Sequence, residues 1–190
     1  MATTKIQAAP QTAKRSFSAG SVISAIGRWI VRNRIYLIAF AIPAVLTYLA
    51  YALFGLYPFG EESVLCLDLN GQYVYYFEAL RDAFWGDGSI FYNWSRNLSG
   101  EFMGIIGYYL ASPFTLIVML LPEKFMLSSL LIMQLCKLGA AGATFNYFLQ
   151  KRRGVQPYPS LLFSTMYAMM AYGVIQLIDP MWLDLSLIHI

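Results

Sequence analysis

The sequence predicts an all-α membrane protein: three transmembrane helices, and a large extracytoplasmic loop bearing an interfacial amphipathic helix and a re-entrant or short helix. Three observations carry this. Only 12% of the 190 residues are charged and 58% are hydrophobic, whereas soluble domains carry about 25% charged residues. Uncharged apolar runs approach the ~20 residues that a bilayer crossing needs. Charge is also segregated. Residues 1–60 hold Lys5, Lys14, Arg15, Arg28, Arg32 and Arg34 with no acid, a net 6 − 0 = +6; residues 61–124 hold three basic and eight acidic residues, a net 3 − 8 = −5. A basic tail before a span and an acidic loop beyond it predict a cytoplasmic N-terminus and an outside loop.

In chain order, residues 1–33 are rich in Ala, Ser, Thr and Gln with scattered Lys and Arg, a composition expected of a disordered basic cytoplasmic tail. The run 35–56 is longer than a signal-peptide core and is followed by no clean small-residue cleavage site, so it reads as a retained span kinked at Pro43. Within the outside loop 57–124, Leu69, Tyr73, Tyr76, Phe77, Leu80 and Phe84 recur at helical spacing, giving an amphipathic helix over 69–85 that Gly86-Asp87-Gly88-Ser89 ends. Its aromatic content suits the headgroup layer.

The segment 105–121 is interrupted by Pro113, and the apolar run 125–149 is followed by Lys151-Arg152-Arg153. If that cluster and the N-terminal tail are both cytoplasmic, an even number of crossings separates them. Spans 35–56 and 125–149 supply two, so 105–121 is expected to be re-entrant or interfacial. A third span at 159–178 would return the chain outside, carrying Asp179, Trp182 and Asp184 to the face of Asp68. Residues 185–190, Leu-Ser-Leu-Ile-His-Ile, read as the translation of a sequencing adapter. The expectation is therefore an adapter-derived artefact at a gene truncation, with no role for His189.

Cys66 and Cys136 fall in the loop and in an apolar helix, which makes a disulfide between them an unfavourable reading. Phosphate-binding glycine loops, zinc spacings, serine-nucleophile elbows and nucleic-acid modules are absent from the sequence. The basic tail reads as a topology signal and contact with the lipid bilayer.

Asp68 lies just beyond the first span, in Asp68-Leu69-Asn70-Gly71-Gln72-Tyr73. Its position suits a carboxylate working at the outer surface. An Asp directly before an amphipathic helix is also a common N-cap, and the residues alone leave the two readings level. Glu78 and Asp82 share a helix face beside Arg81, suited to a metal, to acceptor hydroxyls or simply to solvent. Lys137 lies near the centre of an apolar run, where a charge costs about 2.5–3.5 kcal/mol on insertion scales. It therefore needs a partner or a cavity, and could neutralise an acid from a helix beyond this chain or approach the donor phosphate. The small residues Gly139 to Ala143 beside it favour helix–helix packing.

The order of these features resembles the bacterial YfhO-type membrane proteins, relatives of the GT-C glycosyltransferases. The likeness rests on Asp68 to Tyr73, on Asn97-Leu98-Ser99-Gly100, and on Tyr108-Tyr109-Leu110-Ala111-Ser112-Pro113-Phe114. Further on it rests on Lys137-Leu138 with Ala141-Gly142, Ser164-Thr165-Met166-Tyr167-Ala168, and Met181-Trp182-Leu183-Asp184. Together they cover roughly 35–184, the N-terminal part of a GT-C-like membrane domain that has a dozen or so spans in a full member. The resemblance implies transfer of a sugar from a polyprenyl-phosphate donor to a cell-envelope polymer such as teichoic acid, outside the membrane. Asp68 matches the family's key acidic residue and is the candidate catalytic base. It is equally a candidate metal ligand, so a divalent metal cofactor stays open. Gln72, Tyr73, Glu78, Arg81, Asn97, Lys137 and Asp184 are the candidate substrate-binding residues. A transporter or flippase for envelope lipids, and a non-catalytic scaffold of an envelope-synthesis complex, are the competing expectations.

Overall fold

The computed structural model describes residues 19–94 and 100–188, with the side chains of 185–188 left aside. The chain divides into two units, Met1–Arg34 and Ile35–Ile190. In the first unit the described residues, from Ala19 on, are helical and almost all exposed. This corrects the expectation of a disordered tail through residue 33; residues 1–18 lie outside the described part.

The second unit is built on two helices long and apolar enough to cross a membrane, within Gly20–Leu53 and Glu123–Arg153. They correspond to α1 (Ala19–Leu53) and α5 (Met126–Arg153). Between them lie a π-helical turn Leu69–Tyr73, α2 (Val74–Trp85), and a two-residue antiparallel pairing of β1 (Tyr92–Asn93) with β2 (Gly100–Glu101). There follow α3 (Met103–Ile105), a second π-helical turn Ile106–Leu110, and α4 (Thr115–Leu120). The all-α expectation thus gains a minimal β-ribbon. The 105–121 segment is broken at Ala111–Phe114, and the six residues of α4 span only ~9 Å at 1.5 Å each.

The helix expected at 69–85 forms, and its apolar stripe is its packing face. Leu69, Tyr73, Phe77 and Leu80 are buried in one cluster with Phe102, Ile105, Leu110, Val118, Met119, Leu130 and Met133. Phe84, expected on that stripe, is exposed, because the helix runs past the end of the cluster.

Helix α5 ends at Gly154, whose φ of 65° is a left-handed conformation that glycine adopts without a Cβ penalty. Lys151, Arg152 and Arg153 occupy its last turn, where positive charge offsets the helix dipole. The expected span 159–178 is not one helix. It is α6 (Pro157–Ala168), a turn, and α7 (Ala171–Ile175), followed by α8 (Pro180–Ile188).

Close approach and polar contacts hold the helices together. A Cβ on Gly142 would meet the Ala39 carbonyl oxygen at 2.4 Å, and one on Gly139 would meet the Phe40 ring at 2.9 Å. Gly142 therefore lets α1 and α5 approach backbone to backbone at that point, and Gly139 leaves room for the Phe40 ring. Gln134 on α5 accepts from the Tyr51 hydroxyl at 3.0 Å and donates to the Leu177 carbonyl at 2.9 Å. Buried Asn146 donates to Ser160 at 3.0 Å and to Ser164 at 3.3 Å, tying α5 to α6. In an apolar surround such groups are costly unless paired.

Candidate functional site

Asp68 does not cap its helix. Its backbone is already helical (φ −67°, ψ −30°) and its side chain makes no capping hydrogen bond. The N-cap reading needs a side-chain oxygen on a free N–H of the first turn, so the geometry removes it. The carboxyl points elsewhere: Asp179, in the turn before α8, is in hydrogen-bonding contact with it. Burial, then the nearby Asp68 charge and the bond to Asp68, push the Asp179 carboxyl above its ordinary range; the Tyr73 hydroxyl acts in the opposite direction. Two adjacent carboxyls do not both ionise cheaply.

Tyr73 closes the site from below. Its side chain is 0% exposed, and its buried hydroxyl has no hydrogen-bond partner of ordinary geometry, although the Asp179 carboxyl and the Met181 backbone N–H face it. Burial, followed by the Asp179 charge, raises this phenol well above its usual range, so it stays an O–H donor. Tyr109 stands edge-on to the Tyr73 ring at 5.5 Å between centroids. Tyr73 and Tyr109 belong to the two π-helical turns, a feature frequent at functional sites. Leu67, immediately before Asp68, has φ 45°, a left-handed conformation uncommon for a branched residue.

The second polar centre involves Lys137. Its ammonium donates to the Asp184 carboxylate at 2.9 Å and to the Pro180 carbonyl at 2.7 Å, and lies 5.8 Å from the centroid of the Phe114 ring. The other Asp184 oxygen accepts from the Ser112 hydroxyl at 3.1 Å. Lys137 is 2% exposed. Its charge is met inside the chain, with Asp184 as its counter-ion. Both residues thus hold α5, α8 and the Ser112 loop together.

Arg81 is likewise engaged. Its Nη1 donates to the carbonyls of Val118, at 2.6 Å, and of Leu121, and Trp85 Nε1 donates to Met119 at 3.1 Å. These bonds satisfy free carbonyls at the end of α4, so Arg81 is a helix cap first. Glu78 lines an open cavity farther along α2. Gln72 is half-exposed on the first π turn, next to Tyr73. Asn97 lies outside the described residues, as do Arg96 and His189. Among the described residues no group of three or more His, Cys, Asp or Glu side chains is placed to hold a metal ion. A metal at Asp68 would have two carboxylates from the chain.

Sequence reasoning placed Asp179 on the right face and gave it no role. The missing partner lies 111 residues from Asp68, and no local pattern connects them.

A family model described as "Bacterial membrane protein YfhO" matches residues 39–188. No curated protein and no solved structure matches the chain. The matched range takes in Asp68, Tyr73, Lys137, Asp179 and Asp184 and well over half of the sequence, and the chain belongs to the YfhO family of bacterial membrane proteins.

Proposed function

We propose that this protein belongs to a multi-pass glycosyltransferase that moves a sugar from a polyprenyl-phosphate donor to a cell-envelope polymer at the outer membrane face. The observation that carries the reading is the Asp68–Asp179 pair set against the buried, unpartnered Tyr73 hydroxyl. An acid pair and an orphaned donor are costly to a fold, and such groups gather where chemistry is done.

The N-terminus and Lys151-Arg152-Arg153 are cytoplasmic in this reading, from the charge asymmetry of the sequence. The third crossing is made by α6 and α7 in tandem, and the 103–120 helices stay on the outer side.

In the reaction, the acceptor hydroxyl oxygen attacks the anomeric carbon while the bond from that carbon to the phosphate oxygen breaks. The polyprenyl phosphate leaves with the electron pair. Asp68 takes the acceptor's proton as general base. The buried Tyr73 hydroxyl, without a bonded partner, is the donor left available beside the pair.

The test is Asp68→Asn in the full-length protein. Asn caps a helix about as well as Asp but takes no proton. The variant is expected to insert and accumulate like the parent and to lose transfer of labelled sugar by at least about a hundredfold. Near-normal transfer would end the assignment.

A further inference from the structure

The helix that begins at Asp68 presents a second face. Tyr75, Glu78, Asp82 and Trp85, spaced i, i+3, i+7 and i+10, form a stripe on α2. With Arg81, Asn93 and Glu123 they line an open cavity of about 630 Å³. Trp85 is held by its Nε1 bond to the Met119 carbonyl while its side chain stays 70% exposed. The indole is thus fixed in place with a free ring face. Arg81 is immobilised by its carbonyl contacts. The side-chain carboxylates of Glu78, Asp82 and Glu123 make no hydrogen bond or ion pair with any other described residue.

Anchored aromatic faces beside unpaired carboxylates are the chemistry that binds a sugar ring: apolar C–H groups lie on the ring and hydroxyls donate to the carboxylates. The formal charge of the lining is 1 − 3 = −2, which repels phosphate. The carboxylates are not placed to hold a metal. Glu78 is ten residues beyond Asp68, about 15 Å along the helix, so a sugar here is not the one reacting at Asp68.

We infer that this cavity is a binding subsite for a phosphate-free saccharide unit, neutral or amine-bearing. Given the transfer reaction proposed above, on which this role alone rests, it grips a substituent of the acceptor polymer away from the reacting hydroxyl. Binding energy gathered at such a distance serves to position the acceptor.

The experiment is binding, without transfer, to the chain in lipid nanodiscs, followed by tryptophan fluorescence and saturation-transfer NMR. The probes are glucose, glucosamine and glucose 6-phosphate. Saturable binding is expected for glucosamine and glucose, with glucosamine the tighter, and glucose 6-phosphate at least about tenfold weaker than glucose. Glu78→Gln should weaken glucosamine about tenfold, the loss of one charge-assisted hydrogen bond. Tyr75→Ala, at a site already 60% exposed, should weaken all three probes without disturbing the fold. Absence of saturable binding, glucose 6-phosphate binding as well as glucose, or full binding by both variants would overturn the subsite. The binding readout involves no transfer, so failure here is distinguishable from failure of the transfer reading, which the labelled-sugar assay of Asp68→Asn tests.

Discussion

Asp179 and Asp184 lie five residues apart, on either side of the start of α8, and face opposite electrostatic worlds. Asp184 meets a buried lysine and a serine hydroxyl, and each of its oxygens has a partner. Asp179 meets another acid and a tyrosine whose hydroxyl is left without a proper bond. The first arrangement satisfies every group it buries and holds three segments in register. The second leaves charge and hydrogen-bonding capacity unsatisfied, at a place where two π-helical turns and a left-handed Leu67 already depart from regular helix. A fold keeps such a region for something other than stability.

The contrast is broken most sharply by activity. Asp68→Asn should abolish transfer by the factor given above with the melting temperature in detergent unchanged, whereas Asp184→Asn should lower the melting temperature. If the two variants behaved alike in both assays, the division between them would collapse.

Stability gives the next largest effect. Lys137→Met strands Asp184 against Ser112 and the Pro180 turn. Breaking a buried pair costs about 3–5 kcal/mol, and the low end applies because the Asp184 side chain is 19% exposed. The double variant Lys137→Met with Asp184→Leu should recover most of that loss in thermal unfolding. Failure to recover would mean that the pair does more than neutralise itself.

A packing control sharpens the comparison. Gly142→Val places a branched side chain where the Ala39 carbonyl oxygen stands 2.4 Å from even a Cβ, forcing α1 from α5 at a cost of about 1–3 kcal/mol. Loss of disulfide crosslinking between cysteines placed on facing positions of α1 and α5 would report it. Efficient crosslinking in the variant would show that the helices are not held by this approach.

The smallest effect is that of pH. The Asp179 carboxyl is raised above 3.8 in the folded protein, so its contribution to stability is complete below that value and is lost as pH rises through the raised one. The melting temperature of the parent should therefore fall as pH is raised from about 4 toward neutrality, and Asp179→Asn should flatten that part of the profile. An equally steep profile in Asp179→Asn would assign the titration to another group.

Much of this molecule follows from sequence alone. The two long apolar runs became α1 and α5, because about twenty predominantly apolar residues leave the backbone no partner but itself in lipid. The 3.6-residue periodicity of Leu69, Tyr73, Phe77 and Leu80 fixed which face of the outer helix is buried, and Lys137 announced that it needs a partner. Which partner it takes was decided by the tertiary structure, which brings Asp184 back from 47 residues away. The same return sets Asp179 against Asp68. The break of the expected third span into α6 and α7 was also invisible, since an apolar run looks the same whether straight or turned at Met169–Met170. The physical reason is one: periodicity and hydropathy are local properties of a chain. Charge pairing depends on where distant segments meet, and in this fold that is settled by the packing of α6 and α8 against α5.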